Sequence, residues 1–194
     1  MDSQYYRTFI GLPLQVEPRL LEARKELVDA LSMERISWTN PDQYHLTLRF
    51  IGETSISSIE EIGKALHSHA EGHQQETLEI RELSSFGPRK APRVIWLGFH
   101  EARFVEKLKQ EVDQALETCG LHLPDQTFKA HLTLGRVRHL QDLQRYYQTL
   151  DRMGGKFAGT VLFEKLVFYQ STLGAHGPVY RALDEIRFRK NLKP

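Results

Sequence analysis

Four residues that occur twice constrain this chain more than any other feature. His45-Leu46-Thr47-Leu48 lies within the stretch Tyr44 to Gly52, and the same four types recur as His131-Leu132-Thr133-Leu134, within Lys129 to Val137. Each copy alternates a polar residue with a leucine, the period of a strand buried on one face, so the leucines turn to a core while His and Thr share the opposite face. With 9 His and 11 Thr among 194 residues, a His-any-Thr triplet is expected by chance roughly 0.5 times, so one copy carries little weight. Two copies, both with leucine at both apolar positions, predict a duplicated unit that presents an imidazole and a hydroxyl side by side on each of two strands.

The remaining periodicity fits two such units. Tyr5 to Leu14 reads as a first strand, and Glu17-Pro18 opens a helix carrying Leu20, Leu21, Leu27, Val28 and Leu31. Arg35 to Thr39 reads as a short strand, with Asn40-Pro41-Asp42 as the turn into the first His-Thr strand. Ser57 and Glu60 form a capping box for a helix through Ile59, Ile62, Ala65 and Leu66. In the second half, Glu76 to Phe86 and Arg93 to Phe99 read as strands. Glu101 to Thr118 follows as a helix capped by Gly120, and a loop with Pro124 and Asp125 leads to the second His-Thr strand. Gln141 to Met153 is a polar helix stopped by Gly154-Gly155, and the strands Thr160 to Ser171 and Val179 to Phe188 form a closing hairpin. The expected fold class is α+β: bilobed, with two antiparallel β-sheets, helices on the outer faces, a pseudo-two-fold and a cleft between the lobes. No linker divides residues 1–194, which read as a single bilobed domain.

Composition narrows the partners. A net charge of +1 offers no global field for nucleic acid, so any anion must be bound by local groups. The basic clusters Arg89, Lys90, Arg93 and Arg187, Arg189, Lys190, Lys193 read as solubilising charge. The single cysteine, Cys119, excludes an intrachain disulfide and reads as a buried helix residue in a reducing compartment. With no apolar stretch of signal or membrane-spanning length, the expectation is a cytoplasmic protein that meets no membrane and acts as a monomer. His67, His69 and His73 read as imidazoles favoured at a helix C-terminus, and neither a metal nor another cofactor is expected.

Two imidazoles with unperturbed pKa values near 6.5 can divide the labour of acid and base around neutral pH. One takes a proton from an attacking oxygen and the other gives one to a leaving oxygen, while the hydroxyls of Thr47 and Thr133 donate to an oxyanion between them. In-line attack at phosphorus suits that layout. Arginine is the expected partner of a phosphate. By regular alternation Arg49 shares the His-Thr face, as does Gly135 in the second copy, whereas Arg136 turns inward only if a bulge or twist follows the glycine. Phe50, Tyr44, Trp38 and Tyr169 are the aromatic candidates for stacking a base, each with core packing as the competing role.

The paired motifs His45-Leu-Thr-Leu-Arg-Phe-Ile-Gly52 and His131-Leu-Thr-Leu-Gly-Arg136 resemble those of the 2H phosphoesterase superfamily. The surrounding residues are similar to its branch of RNA 2′,3′-cyclic phosphodiesterases, also called 2′-5′ RNA ligases. They are Arg7-Thr-Phe-Ile-Gly-Leu-Pro13, Phe86-Gly87, Arg93-Val-Ile-Trp-Leu-Gly98, Phe168-Tyr-Gln-Ser171 and Gly177-Pro-Val-Tyr180. The resemblance implies metal-free opening of a terminal 2′,3′-cyclic phosphate on RNA to a 2′-phosphate, with a slow reverse ligation. It also implies His45 as proton donor, His131 as proton acceptor, and Thr47, Thr133 and Arg136 as phosphate-binding residues. Arg49 and Phe50 remain candidates for phosphate or base contacts. The near-zero net charge favours contact with the terminal nucleotides only. Competing readings are a phosphodiesterase of a small cyclic phosphate or 2′-5′ oligonucleotide, and a non-catalytic module that binds RNA ends.

Overall fold

The computed structural model describes residues 5–124, 127–174 and 177–190; Asp125 of the expected loop and Lys193 of the basic tail lie outside the described residues. The first half runs β1 (Tyr5–Pro13), α1 (Pro18–Ala30), β2 (Arg35–Trp38), β3 (His45–Ser55) and α2 (Ile56–Ala70). The second runs β4 (Glu76–Phe86), β5 (Val94–Phe99), α3 (Arg103–Thr118), β6 (His131–His139) and α4 (Leu143–Met153), then β7 (Gly159–Phe163), β8 (Lys165–Gly174) and β9 (Gly177–Arg187). These strands form two antiparallel sheets, ordered β3-β1-β8-β9 and β2-β6-β5-β4-β7. The expected α+β class with two antiparallel sheets and packed helices is therefore the observed one.

Three local expectations need correction. The cap of α2 is Ser55, whose hydroxyl accepts from the Ser58 backbone N–H at 3.2 Å, and not Ser57. Strand β3 continues through Ser55, so the helix begins two residues earlier than the capping box implied. The run Thr160 to Ser171 is not one strand: it breaks at Glu164, with β7 pairing to β4 in one sheet and β8 to β1 in the other. Neither glycine nor proline marks that break. Cys119, expected to be buried, is half-buried at the C-cap of α3.

The helices interlock the two halves. Helix α3, from the second half, packs on α2 and against β3, while α1, from the first half, packs on α4. The motif leucines explain why: Leu46, Leu48, Leu132 and Leu134 are all buried within one continuous apolar cluster that also takes in Leu27 of α1, Ile62 of α2, Val112 of α3 and Leu150 of α4. With those leucines committed to the core, the opposite face of β3 and of β6 is left to line the cleft.

Candidate active site

Both motif strands carry the same irregularity at the same place. Between β1 and β3, Gly11 pairs with Thr47 and Ile10 with Arg49, leaving Leu48 as an extra residue; between β5 and β6, Trp96 pairs with Thr133 and Ile95 with Gly135, leaving Leu134 extra. A bulge at the second leucine resets the alternation. Leu48 and Arg49 are consecutively buried and so are Leu134 and Gly135, after which Phe50 and Arg136 emerge. Phe50 and Arg136 are thus structural counterparts. The bulge that Arg136 required is present, one residue before Gly135 rather than after it.

Arg49 goes the other way. Its side chain is 5% exposed, its Nε lies 3.0 Å from Oδ1 of Asp113 on α3, and its terminal nitrogens donate to the carbonyls of Pro124 (3.1 Å) and Leu123 (3.3 Å). Regular alternation would have placed it beside Thr47; the bulge turns it away from the cleft, so the structure does not bring Arg49 to the other candidates. Its counterpart Gly135 has no room for a side chain, since an added Cβ would lie 2.9 Å from Cε3 of Trp38.

The remaining candidates converge on one cavity of about 520 Å³, lined by His45, Thr47 and Phe50 from one sheet and by His131, Thr133 and Arg136 from the other. Trp38 lines it too. Tyr44 is instead 4% exposed and packed in the core, its phenol pushed up to about 12 by burial. Tyr169 is half-buried and stacks on Phe9 with ring centres 4.8 Å apart.

The two histidines are held alike. His45 Nδ1 lies 2.8 Å from the Gln43 carbonyl, and His131 Nδ1 lies 2.7 Å from the Lys129 carbonyl, each two residues upstream. A carbonyl only accepts, so Nδ1 carries the hydrogen in both rings and Nε2 is left for a reacting oxygen. Aromatic walls fix the ring planes: Tyr180 meets His45 edge-on at 5.0 Å, and Phe86, itself stacked on Trp96, meets His131 edge-on at 4.8 Å. Tyr180, Phe9, Phe86 and Trp96 were not among the site residues read from the sequence. All four lie in the stretches that carry the family resemblance, which was the available signal.

Burial pushes both imidazoles below their ordinary pKa, against the opposing pull of the Gln43 and Lys129 carbonyls. His45 is lowered further by His131 and Arg136, and His131 by Arg136 and Lys129. Both therefore favour the neutral form at pH 7. No ion-pair partner of Arg136 occurs among the described residues. Its charge is available to an anion.

Away from the cavity, His69 Nδ1 donates to the Ala65 carbonyl and His73 pairs with Glu111, so the helix-end histidines are engaged within the fold. Among the described residues no group of three or more His, Cys, Asp or Glu side chains is placed to hold a metal ion, and no helix is long and apolar enough to cross a membrane.

Comparison with known proteins finds relatives over most of the chain. The chain is 33% identical over 147 residues to an RNA 2′,3′-cyclic phosphodiesterase of Aeropyrum pernix, covering 75% of this chain and 82% of the relative. It is 28% identical over 190 residues to one of Thermotoga maritima, covering 96% and 97%. Among solved structures, a Thermus thermophilus protein superposes with a TM-score of 0.66 at 24% identity, over 95% of this chain and 99% of that one. Escherichia coli LigT in its apo form does so with 0.68 at 18% identity, over 96% and 99%. The profile of the LigT-like phosphoesterases matches residues 10–96 and 100–180, which contain both His-Thr copies, and the chain belongs to that family.

Proposed function

We propose that this phosphoesterase opens the terminal 2′,3′-cyclic phosphate of RNA to a 2′-phosphate, using His131 as base and His45 as acid and requiring no metal. The observation that carries the proposal is the convergence of two imidazoles, tautomerically alike, with two hydroxyls and an unpaired guanidinium on one cavity. The names of the relatives from Aeropyrum pernix and Thermotoga maritima supply the substrate class.

In this mechanism Nε2 of neutral His131 removes a proton from a water as its oxygen attacks phosphorus. The P–O3′ bond breaks on the opposite side, and the departing 3′ oxygen takes the proton carried by His45 Nε2. The P–O2′ bond is retained. Thr47 and Thr133 donate hydrogen bonds to the non-bridging oxygens, and the Arg136 fork balances their charge. The cations Lys129 and Arg136 beside His131 favour the neutral ring that a base needs. A phosphate anion bound against His45 opposes the effect of burial there and favours the protonated ring that an acid needs. With the 5′ hydroxyl of a second RNA end in place of water as the nucleophile, the same two groups form a P–O5′ bond as the P–O3′ bond breaks, leaving a 2′-5′ phosphodiester, which is the route to slow ligation.

The test incubates EDTA-treated protein with a short RNA ending in a 2′,3′-cyclic phosphate, beside His45→Ala and His131→Ala. A 2′-phosphate product from the wild type, falling about 10²–10⁴-fold in each variant, is expected. RNA that binds but survives unchanged in EDTA refutes the metal-free pair.

A further inference from the structure

Four cations line the cavity: Lys109, Lys129, Arg136 and Arg138. Two of them are neutralised within the fold. Lys109 is paired with Asp113, and Lys129 lies 3.0 Å from Glu82 while resting over the Trp96 ring. Arg136 and Arg138 have no carboxylate partner among the described residues. Under the phosphodiesterase reading, Arg136 serves the phosphate that reacts, which leaves one free charge at the cavity without a role.

Arg138 is oriented rather than loose. Its Nε donates to the Ser37 hydroxyl at 3.1 Å, and Ser37 sits on β2 directly opposite Arg136. Among the described residues no other hydrogen bond engages the guanidinium, so its two terminal nitrogens present a fork with no acceptor. Arg138 is the extra residue of a bulge in the β2–β6 ladder, between the pairs Ile36–Val137 and Arg35–His139. Two strand residues span at most about 6–7 Å, close to one phosphate-to-phosphate step of an extended single-stranded RNA. Strand β2 is the edge of its sheet, and Arg138, on the neighbouring β6, is exposed at the cavity.

We propose that Arg138, held by Ser37, binds the phosphodiester that joins the terminal nucleotide to the one before it. The inference rests on the cyclic phosphodiesterase reading and makes the substrate an oligonucleotide end, favoured over a lone cyclic nucleotide. The bound group is a phosphate on the 5′ oxygen of the terminal ribose, supplied by a diester in RNA or by a monoester in a 5′-phosphorylated nucleotide.

The experiment compares kcat/KM for adenosine 2′,3′-cyclic phosphate, its 5′-phosphorylated form, and a dinucleotide with the same cyclic end, in wild type and in Arg138→Gln. The wild type is expected to favour both 5′-substituted substrates by about tenfold, the size of one charge-assisted contact at an exposed site. Arg138→Gln is expected to bring both ratios near one, Arg138→Lys to retain part of them, and Arg81→Gln, on β4 and paired with Glu79, to leave them unchanged. The wild-type preference should also shrink as salt rises. A preference confined to the dinucleotide, or one that survives in Arg138→Gln, overturns the subsite while leaving the phosphodiesterase reading intact. Failure of the wild type to open any of the three overturns both.

Discussion

Replacing Arg49 separates two roles that an arginine next to the first His-Thr motif could have. If it touched substrate, Arg49→Met would lower activity and leave the fold alone. The structure implies the reverse. Removing one partner of a fully buried ion pair costs about 3–5 kcal/mol. Here Asp113 is 21% exposed and keeps Lys109, which scales that loss to about 2 kcal/mol. The carbonyls of Leu123 and Pro124 also lose a charged donor, adding about 1 kcal/mol because loop carbonyls can turn to water. The sum, about 3 kcal/mol, corresponds to a fall of about 6–12 °C in Tm for a chain of this size. Urea and thermal melts read the stability, and kcat/KM at a temperature where both proteins are folded reads the chemistry. The triple variant Arg49→Met, Asp113→Leu and Lys109→Met should recover much of the loss, since no unpaired charge remains, whereas Asp113→Leu added alone would strand Lys109. An Arg49→Met protein as stable as the wild type but catalytically impaired would refute the assignment of Arg49 to the interface between β3 and α3.

Three further outcomes follow from the same geometry. Because burial holds both imidazoles below their ordinary pKa, with His131 and then Arg136 adding to it at His45 and Arg136 at His131, the bell of kcat/KM against pH should centre on the acid side of the unperturbed histidine value near 6.5. Arg136→Gln removes a charge that disfavours both imidazolium ions, so both limbs should move to higher pH while the peak falls; limbs that stay in place would separate Arg136 from the histidines. Phe50, 50% exposed at the cavity, should serve as a stacking surface for the terminal base. Phe50→Ala is then expected to raise KM by about 5- to 150-fold, the range of a single stacked base, with little change in melting temperature; an unchanged KM would remove Phe50 from the site.

Much of this molecule is legible in its amino-acid order. The period of His45 to Leu48 and of His131 to Leu134 places leucines on the core side and His with Thr on the other, and their duplication implies two related sheets meeting at one cleft. That inference needs only local alternation, because a strand's side chains point by turns to opposite faces whatever the strand pairs with. Helix positions followed in the same way from apolar spacing, with α1 and α2 each close to its expected range. Non-local pairing decided the rest. The bulges at Leu48 and Leu134 exist only relative to β1 and β5, and they bury Arg49 while turning Phe50 and Arg136 to the cavity. Likewise Thr160 to Ser171 has one continuous strand composition, yet β4 and β1 compete for its two ends and divide it between sheets at Glu164. Which face a residue takes after a bulge, and which sheet a strand joins, depend on hydrogen bonds to partners distant in the chain, and no periodicity within the segment itself encodes them.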